Sequence, residues 1–252
     1  MTNIKHLEEQ LRRSERLAGL GRFAAGIAHE IRNPLSSIKG FATILAGRFD
    51  QDDRSRDIAG VMIQEVERLN RAVTELLNFA RPTDLNRQAL SCRELVQNSL
   101  KLIEKDALQH GVRIETSIQP EDLQVEVDPD RFAQVLLNLY LNAIHAMDKG
   151  GTLSIGTFLE DGSVVITVAD SGTGISPEHL PHVFDPYFTT KPEGVGLGLA
   201  NVHKFVEAHG GQIEAQSTPG KGTKFMIRLC SSDPAPPLCK LPVETLEATK
   251  NG

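Results

Sequence analysis

Apolar residues recur at intervals of three and four over Leu20, Ala24, Ile27, Ile31, Leu35 and Ile38, the stripe of a helix with one buried face. Upstream, Ile4, Leu7, Leu11, Ser14 and Ala18 follow a rough heptad with charged residues between, which predicts a helix entering a coiled coil and continuing into that stripe. Pro34 removes a backbone donor and crowds the preceding turn, so a bend is expected just after His29. Gly47-Arg48-Phe49-Asp50-Gln51-Asp52-Asp53 reads as a turn. A second helix follows, with Ile58, Met62, Glu65 or Val66, Leu69, Val73, Leu76 and Ala80 near helical spacing, ending before Pro82. Two long helices joined by a short loop make a hairpin. A lone hairpin buries too little, so two are expected to pair as a four-helix bundle in a homodimer.

Arg81 to Asn86 has the composition of a linker, and the pattern changes from Leu90. Ser91 can cap a helix running to about Gln109, ended by Gly111. Val112 to Ile118 alternates as a half-buried strand, and Leu123 to Val127 is a short one. Asp128-Pro129 starts a helix that runs to about Met147 and stops at Gly150-Gly151. Thr152 to Leu159 and Ser163 to Ala169 are strands joined at Glu160-Asp161-Gly162. A Gly-rich region leads to a helix ending near His209, and Gln212 to Ser217 with Thr223 to Leu229 form a last hairpin. About five strands and three helices predict a two-layer α/β sandwich, making the whole chain α+β. The tail from Ser231 has four prolines and little pattern, so it is expected to be disordered.

Composition narrows the function classes. The 252 residues suit two compact domains or one domain with an extended element. A net charge of −6 without a basic block argues against nucleic acid as the main partner. Cys92, Cys230 and Cys239 show no close paired spacing, so neither a zinc site nor a disulfide framework is expected, and reduced thiols fit a cytoplasmic location. No run of about eighteen apolar residues exists, so attachment to a membrane is expected only through a segment upstream of Met1.

Four stretches have the residues for chemistry. His29 lies on the outer face of the first helix with Glu30 directly after it, a nucleophile beside a base. Taken alone, it is as well a surface histidine. His29-Glu30-Ile31-Arg32-Asn33 is not the helical zinc motif, because Asn33 stands where a second histidine is needed. Gln134, Asn138, Asn142, His145 and Lys149 form one polar stripe on an otherwise apolar helix, either a core network or the wall of a pocket whose amide oxygens suit Mg²⁺. Asp170-Ser171-Gly172-Thr173-Gly174 follows a strand directly, where a carboxylate can accept from an exocyclic amine and glycines let backbone approach a flat ring. Gly194-Val195-Gly196-Leu197-Gly198 runs into a helix at Leu199, an arrangement that cradles phosphate, with Thr190 and Lys191 just before it.

In this order, AHEIRNPL, the asparagines 138 and 142, DSGTGI, FDPYFTTK and GVGLGLA resemble the motifs of the sensor histidine kinases of two-component systems, over about Ala18 to Leu229. The acceptor and asparagine motifs look closest to the nitrogen- and metal-responsive branch. The resemblance implies that His29 is the phosphorylated histidine, Glu30 its general base, and Asn33 the residue that orients water when such proteins act as phosphatases. It implies ATP and Mg²⁺ as cofactors. Asn142 would hold the metal with Asn138 nearby, and Asp170 would read adenine with Gly172 and Gly174. Thr190, Lys191, Gly194, Gly196, Gly198 and Leu199 would belong to the lid. The ATP-binding sandwich would be that shared with gyrase and Hsp90. His145 stands where the family often has a basic residue on phosphate. Asn138 stands where related ATPases carry a water-activating glutamate, and an amide cannot take that proton.

The implied organisation is a signalling helix over 1–17, a dimerisation and histidine phosphotransfer domain over 18–81, a linker over 82–88, a catalytic ATP-binding domain over 89–230, and the tail over 231–252. ATP would bind between the Asn138/Asn142 helix and the lid, and the label would pass from His29 to the receiver domain of a response regulator. The rival expectation is a dimeric ATP-binding scaffold that phosphorylates nothing.

Overall fold

In this computed structural model the described residues are 31, 33–48, 54–80, 84–191 and 194–230. They fall into two compact units. One comprises the described residues up to Asp84 with His182–Asn201, and the other Leu85–Pro181 with those from Val202 onward.

The first unit is built on two helices, α1 over residues 33–46 and α2 over Arg54–Ala80. Helical spacing takes Leu35 and Ala42 of α1, and Ala59 and Val66 of α2, out of solvent. Lys39 Nζ donates to Glu67 Oε1 at 2.7 Å and ties the helices side by side. The pair is partly exposed, so it fixes register more than it stabilises; such pairs contribute about 0.2–1 kcal/mol. Ile38, Phe41, Ile44 and Leu45 on α1, with Ile58, Val61, Met62 and Leu69 on α2, stay in solvent. The hairpin therefore retains apolar surface that its own packing does not cover. The expected coiled coil over 1–17, the residues His29 and Glu30, and the tail from 231 lie outside the described residues.

The second unit is a mixed sheet with helices against it. Its strands are β2 (Val112–Ile118), β4 (Gly151–Glu160), β5 (Ser163–Asp170), β7 (Gly222–Cys230) and β6 (Gln212–Thr218), in that spatial order. β2 runs parallel to β4, and every other pair is antiparallel. A two-stranded ribbon of β1 (Gln88–Ser91) and β3 (Gln124–Val127) stands apart from it. Side-chain alternation lines up Ile155, Val168 and Phe225 across β4, β5 and β7, with Ile166 opposite Ile227 and Leu153 on the same face, all buried. α5 (Pro129–His145) packs on β4, β5 and α3 (Cys92–Leu100), and its buried residues Phe132, Leu136, Leu139 and Ile144 complete the core. α6 (Gly198–Ala208) adds Val202, Phe205 and Val206. Asp128 caps α5 by accepting the Arg131 N–H, with Pro129 at the first helical position, as the sequence predicts. Asp161 and Gly162 turn the β4–β5 hairpin at φ +50° and +73°.

Three expectations are corrected. The single helix expected from Ser91 to Gln109 is two, α3 and α4 (Glu104–Gln109), with fully buried Ile103 between them. Ser91 occupies the cap position but makes no side-chain cap bond, and the N–H of Cys92 next to it donates to the Leu123 carbonyl. Cys230 is disulfide-bonded, where reduced thiols were expected; sequence spacing does not show which sulfurs folding brings together. Cys92 is a free thiol, and burial pushes it up to about 11.

Candidate active site

The face of α5 that is left over from the core carries the polar stripe. Gln134, Asn138 and Asn142 are half-buried and His145 is exposed, so the stripe is not enclosed within the core. His145 meets His110 edge to face, with ring centroids 6.1 Å apart.

Asp170 ends β5, and two backbone donors fix its carboxylate. The Gly172 N–H reaches Oδ1 at 2.8 Å and the Thr223 N–H reaches the same oxygen at 3.2 Å. Oδ2 is thus left as the acceptor for an amine. Burial raises the Asp170 pKa above the ordinary carboxylate value, and the two N–H bonds hold part of that rise back. The loop after it docks on the end of α5: the Thr173 N–H donates to the Ala146 carbonyl at 3.0 Å. Only glycine fits at 172, since a Cβ there would lie 2.5 Å from that carbonyl oxygen. Gly174, at φ +70°, packs against the Thr218 carbonyl. Asp170, Gly172 and Gly174 are therefore brought to the C-terminal end of the helix that carries Asn142.

The loop has a second support, absent from the sequence reading. The Ser217 hydroxyl accepts the Ile175 N–H at 2.8 Å and donates to the Gly222 carbonyl at 2.9 Å. Thr223 Oγ1, 3.0 Å away, must then donate to Ser217. Ser171 Oγ also accepts the Thr152 N–H at 2.9 Å. The one signal in sequence was the Pro219–Gly222 turn, which shows a hairpin but not where its hydroxyls go.

The remaining predicted residues belong to the first unit. The Tyr187 N–H donates to the Gly196 carbonyl at 2.9 Å and closes the base of the segment between them. Gly196 sits at φ +72°, where a Cβ would be 2.5 Å from the Tyr187 carbonyl carbon. Within that segment Thr189 Oγ1 accepts the Lys191 N–H at 3.1 Å, and the Gly194 N–H donates to the Lys191 carbonyl at 3.1 Å. Thr190, Lys191 and Gly194 are exposed. Gly198 and Leu199 open α6, held by buried Leu197 and Ala200 with Val195 packed on them. Asn33 is exposed on α1, its carbonyl accepting from Ser37 Oγ at 3.3 Å.

Among the described residues no group of three or more His, Cys, Asp or Glu side chains could hold a metal. A hard cation here would depend on an amide such as Asn142, together with phosphate oxygens and water, a set that Mg²⁺ accepts.

In the second unit, a carboxylate fixed at a strand end and a helix edged with amides are the features of a nucleotide-binding domain of the histidine-kinase class. Residues 127–233 match the histidine kinase-, DNA gyrase B-, and HSP90-like ATPase family, and residues 20–85 match the His Kinase A (phospho-acceptor) domain. The chain belongs to the sensor histidine kinases of two-component systems. It is 47% identical over 226 residues to the sensor histidine kinase ZraS of Klebsiella oxytoca, covering 89% of this chain and 49% of that protein. It is 35% identical to the signal transduction histidine-protein kinase AtoS of Escherichia coli K12, covering 91% of this chain and 38% of that one. The chain thus spans about half or less of the length of these relatives. Among solved structures it is similar to histidine kinase ThkA in complex with response regulator protein TrrA, at TM-score 0.66 and 31% identity, covering 92% of this chain and 68% of that one. It is also similar to full-length ShkA in complex with AMPPNP, at TM-score 0.69 and 25% identity, covering 82% and 45%.

Proposed function

We propose that the chain is the kinase portion of an ATP-dependent protein-histidine kinase, which transfers the γ-phosphoryl group to His29 and from there to an aspartate of a response regulator. The observation that carries this reading is Asp170, whose Oδ1 takes two backbone N–H groups so that Oδ2 can accept the adenine amine. The AMPPNP bound by ShkA and the regulator bound by ThkA support the nucleotide and the partner. The phosphotransfer domain is assigned to 18–81, the linker to 82–88 and the ATP-binding domain to 89–230.

In the forward step a ring nitrogen of His29 bonds to the γ-phosphorus, ADP leaves, and Glu30 takes the ring proton. Asp170 selects adenine while Gly172 and Gly174 let backbone lie against the ring. Asn138, Asn142 and His145 of α5, and Thr190, Lys191, Gly194, Gly196, Gly198 and Leu199 of the lid, are the residues assigned to the phosphates. Asn142, with the phosphates, would hold Mg²⁺, which would supply charge neutralisation. Asn138 offers no base to activate water, so the phosphoryl group is kept for the histidine. Asn33 orients water when the same protein dephosphorylates its regulator.

The exposed apolar residues of α1 and α2 support a homodimer, which would bury them in a four-helix bundle. No described helix is long and apolar enough to cross a membrane. Incubation with γ-labelled ATP tests the reading. Acid-labile, alkali-stable label that disappears in His29→Gln is expected. Nucleotide binding without label would leave the scaffold reading, and steady phosphate release without His29 would make the chain a hydrolase.

A further inference from the structure

Where the chain enters the second unit, three segments meet at a buried pair, Asp128 and His209, which are 7% and 6% exposed. Asp128 Oδ1 accepts the Arg131 N–H at 3.0 Å and Oδ2 accepts the Asn86 N–H at 2.9 Å. The backbone N–H of Asp128 in turn donates to His209 Nε2 at 2.9 Å. His209 follows α6, and its Nδ1 lies 2.6 Å from the Phe205 carbonyl oxygen. Arg87 reaches the same helix end, donating from Nη2 to the Ala208 carbonyl at 2.8 Å. Phe132 of α5 stands edge-on to the imidazole at 5.8 Å.

These contacts fix the proton. A backbone N–H can only donate, so Nε2 must be the bare nitrogen. A carbonyl can only accept, so Nδ1 must carry the hydrogen. The neutral Nδ1–H tautomer satisfies both bonds. An imidazolium would set a second N–H against the Asp128 N–H and lose that bond.

We infer that His209 is a positioning residue for phosphoryl transfer: while uncharged it fastens the end of α6 to the cap of α5 and, through Asp128, to the linker at Asn86, and protonation releases that fastening. α6 starts at Gly198, directly behind the glycine segment, and α5 carries Asn138 and Asn142. Asn86 follows α2, which ends at Ala80, after a short connection. The ring therefore bonds the backbone at the end of α6 and at the cap of α5, and the Asp128 carboxylate carries the connection on to Asn86. The charged groups acting on it are Arg87 from the linker side and Asp128 at the cap of α5; Arg131 lies over the Phe205 ring of α6, 5.4 Å from its centroid, and acts on Lys204. Burial lowers the His209 pKa from 6.5 and Arg87 adds to this, against the Phe205 carbonyl and Asp128. The inference rests on the kinase reading only for the labelling measurement below.

The test begins with the unmodified chain. Nitrogen-15 NMR near neutral pH should show a bare Nε2 and a protonated Nδ1, with the ring titrating below 6.5. An Nε2–H tautomer, or a midpoint above that value, would overturn the inference. Hydrogen exchange at the Asn86 and Asp128 amides, corrected for intrinsic rates, should accelerate about tenfold or more as pH falls through that titration. His209→Gln can place its amide oxygen where Nε2 stands, so it should keep the protection at low pH, whereas His209→Phe should lose it at every pH. Protection that ignores the titration, or that falls alike in His209→Gln, sinks the proposal. Labelling of His29 at saturating ATP should fall with the same titration in the natural chain and fall less steeply in His209→Gln, which keeps only the acid limb of His29 itself. If the exchange results hold and no label forms at any pH, the fastening stands and the kinase reading fails.

Discussion

Thr223 donates its backbone N–H to Asp170 across fifty-three residues of sequence, on the same oxygen that Gly172 holds from within the loop. The carboxylate is thus oriented before any ligand arrives. Asp170→Asn should keep this geometry through its amide oxygen but present an N–H₂ where an amine needs an acceptor. A buried donor facing a donor costs about 1–3 kcal/mol, or roughly five- to 150-fold in affinity. ATP affinity measured by calorimetry should fall by that much, with the melting temperature little changed.

Gly172→Ala offers a contrast. Its Cβ would lie 2.5 Å from the Ala146 carbonyl oxygen, which is backbone and cannot step aside. The loop must shift, so nucleotide affinity and thermal stability should fall together, the latter by about 1–3 kcal/mol. A variant with unchanged affinity would show that the docked loop is not part of the site.

The Asp128 cap predicts an acid-labile contribution to stability. Burial pushes its pKa up, but the Arg131 and Asn86 N–H groups outweigh this and leave it below the ordinary value. A carboxylate with a depressed folded pKa stabilises above its unfolded value, near 3.8, and loses that contribution as pH falls through the folded one. Asp128→Ala should cost about 0.5–2 kcal/mol near neutral pH in urea unfolding. The difference from the natural chain should shrink in acid.

Cys92 is wholly buried, and its thiol is pushed up to about 11. At pH 8 it carries little thiolate and no access. Alkylation followed by mass spectrometry should find it protected until denaturant unfolds the second unit. Rapid modification in the native protein would contradict that packing.

Asn33→Ala separates the two activities proposed for the acceptor helix. Asn33 is exposed on α1 and only its backbone carbonyl takes part in a described hydrogen bond, so folding should tolerate the change. Dephosphorylation of the regulator should fall at least tenfold while labelling of His29 largely persists. Loss of both together would mean that water and imidazole chemistry are not divided between these residues.

What could be read in advance followed the range of the forces involved. Val112 to Ile118 alternates and is a strand over those same residues; Asp128-Pro129 carries its cap and its first-turn proline side by side. β1 was missed because four residues, Gln88–Ser91, have no period, and their pairing is with β3 more than thirty residues away. The break between α3 and α4 has neither Gly nor Pro to mark it, and burial of Ile103 accompanies it. At the site, Asp170 and Gly172 were legible because their bond spans two residues. Thr223, Ser217 and His209 act through backbone groups distant in sequence, where no local pattern points.

β7 lies between β5 and β6, although it is the last strand the chain describes. As the polypeptide leaves the ribosome, β5 has no neighbour on that side until residues up to Cys230 have emerged. The Thr223 N–H that orients Asp170 arrives with the same strand. A nascent or prematurely terminated chain therefore has an open sheet edge and an unoriented carboxylate together. Synthesis of β7 closes that sheet edge and orients the carboxylate in one event.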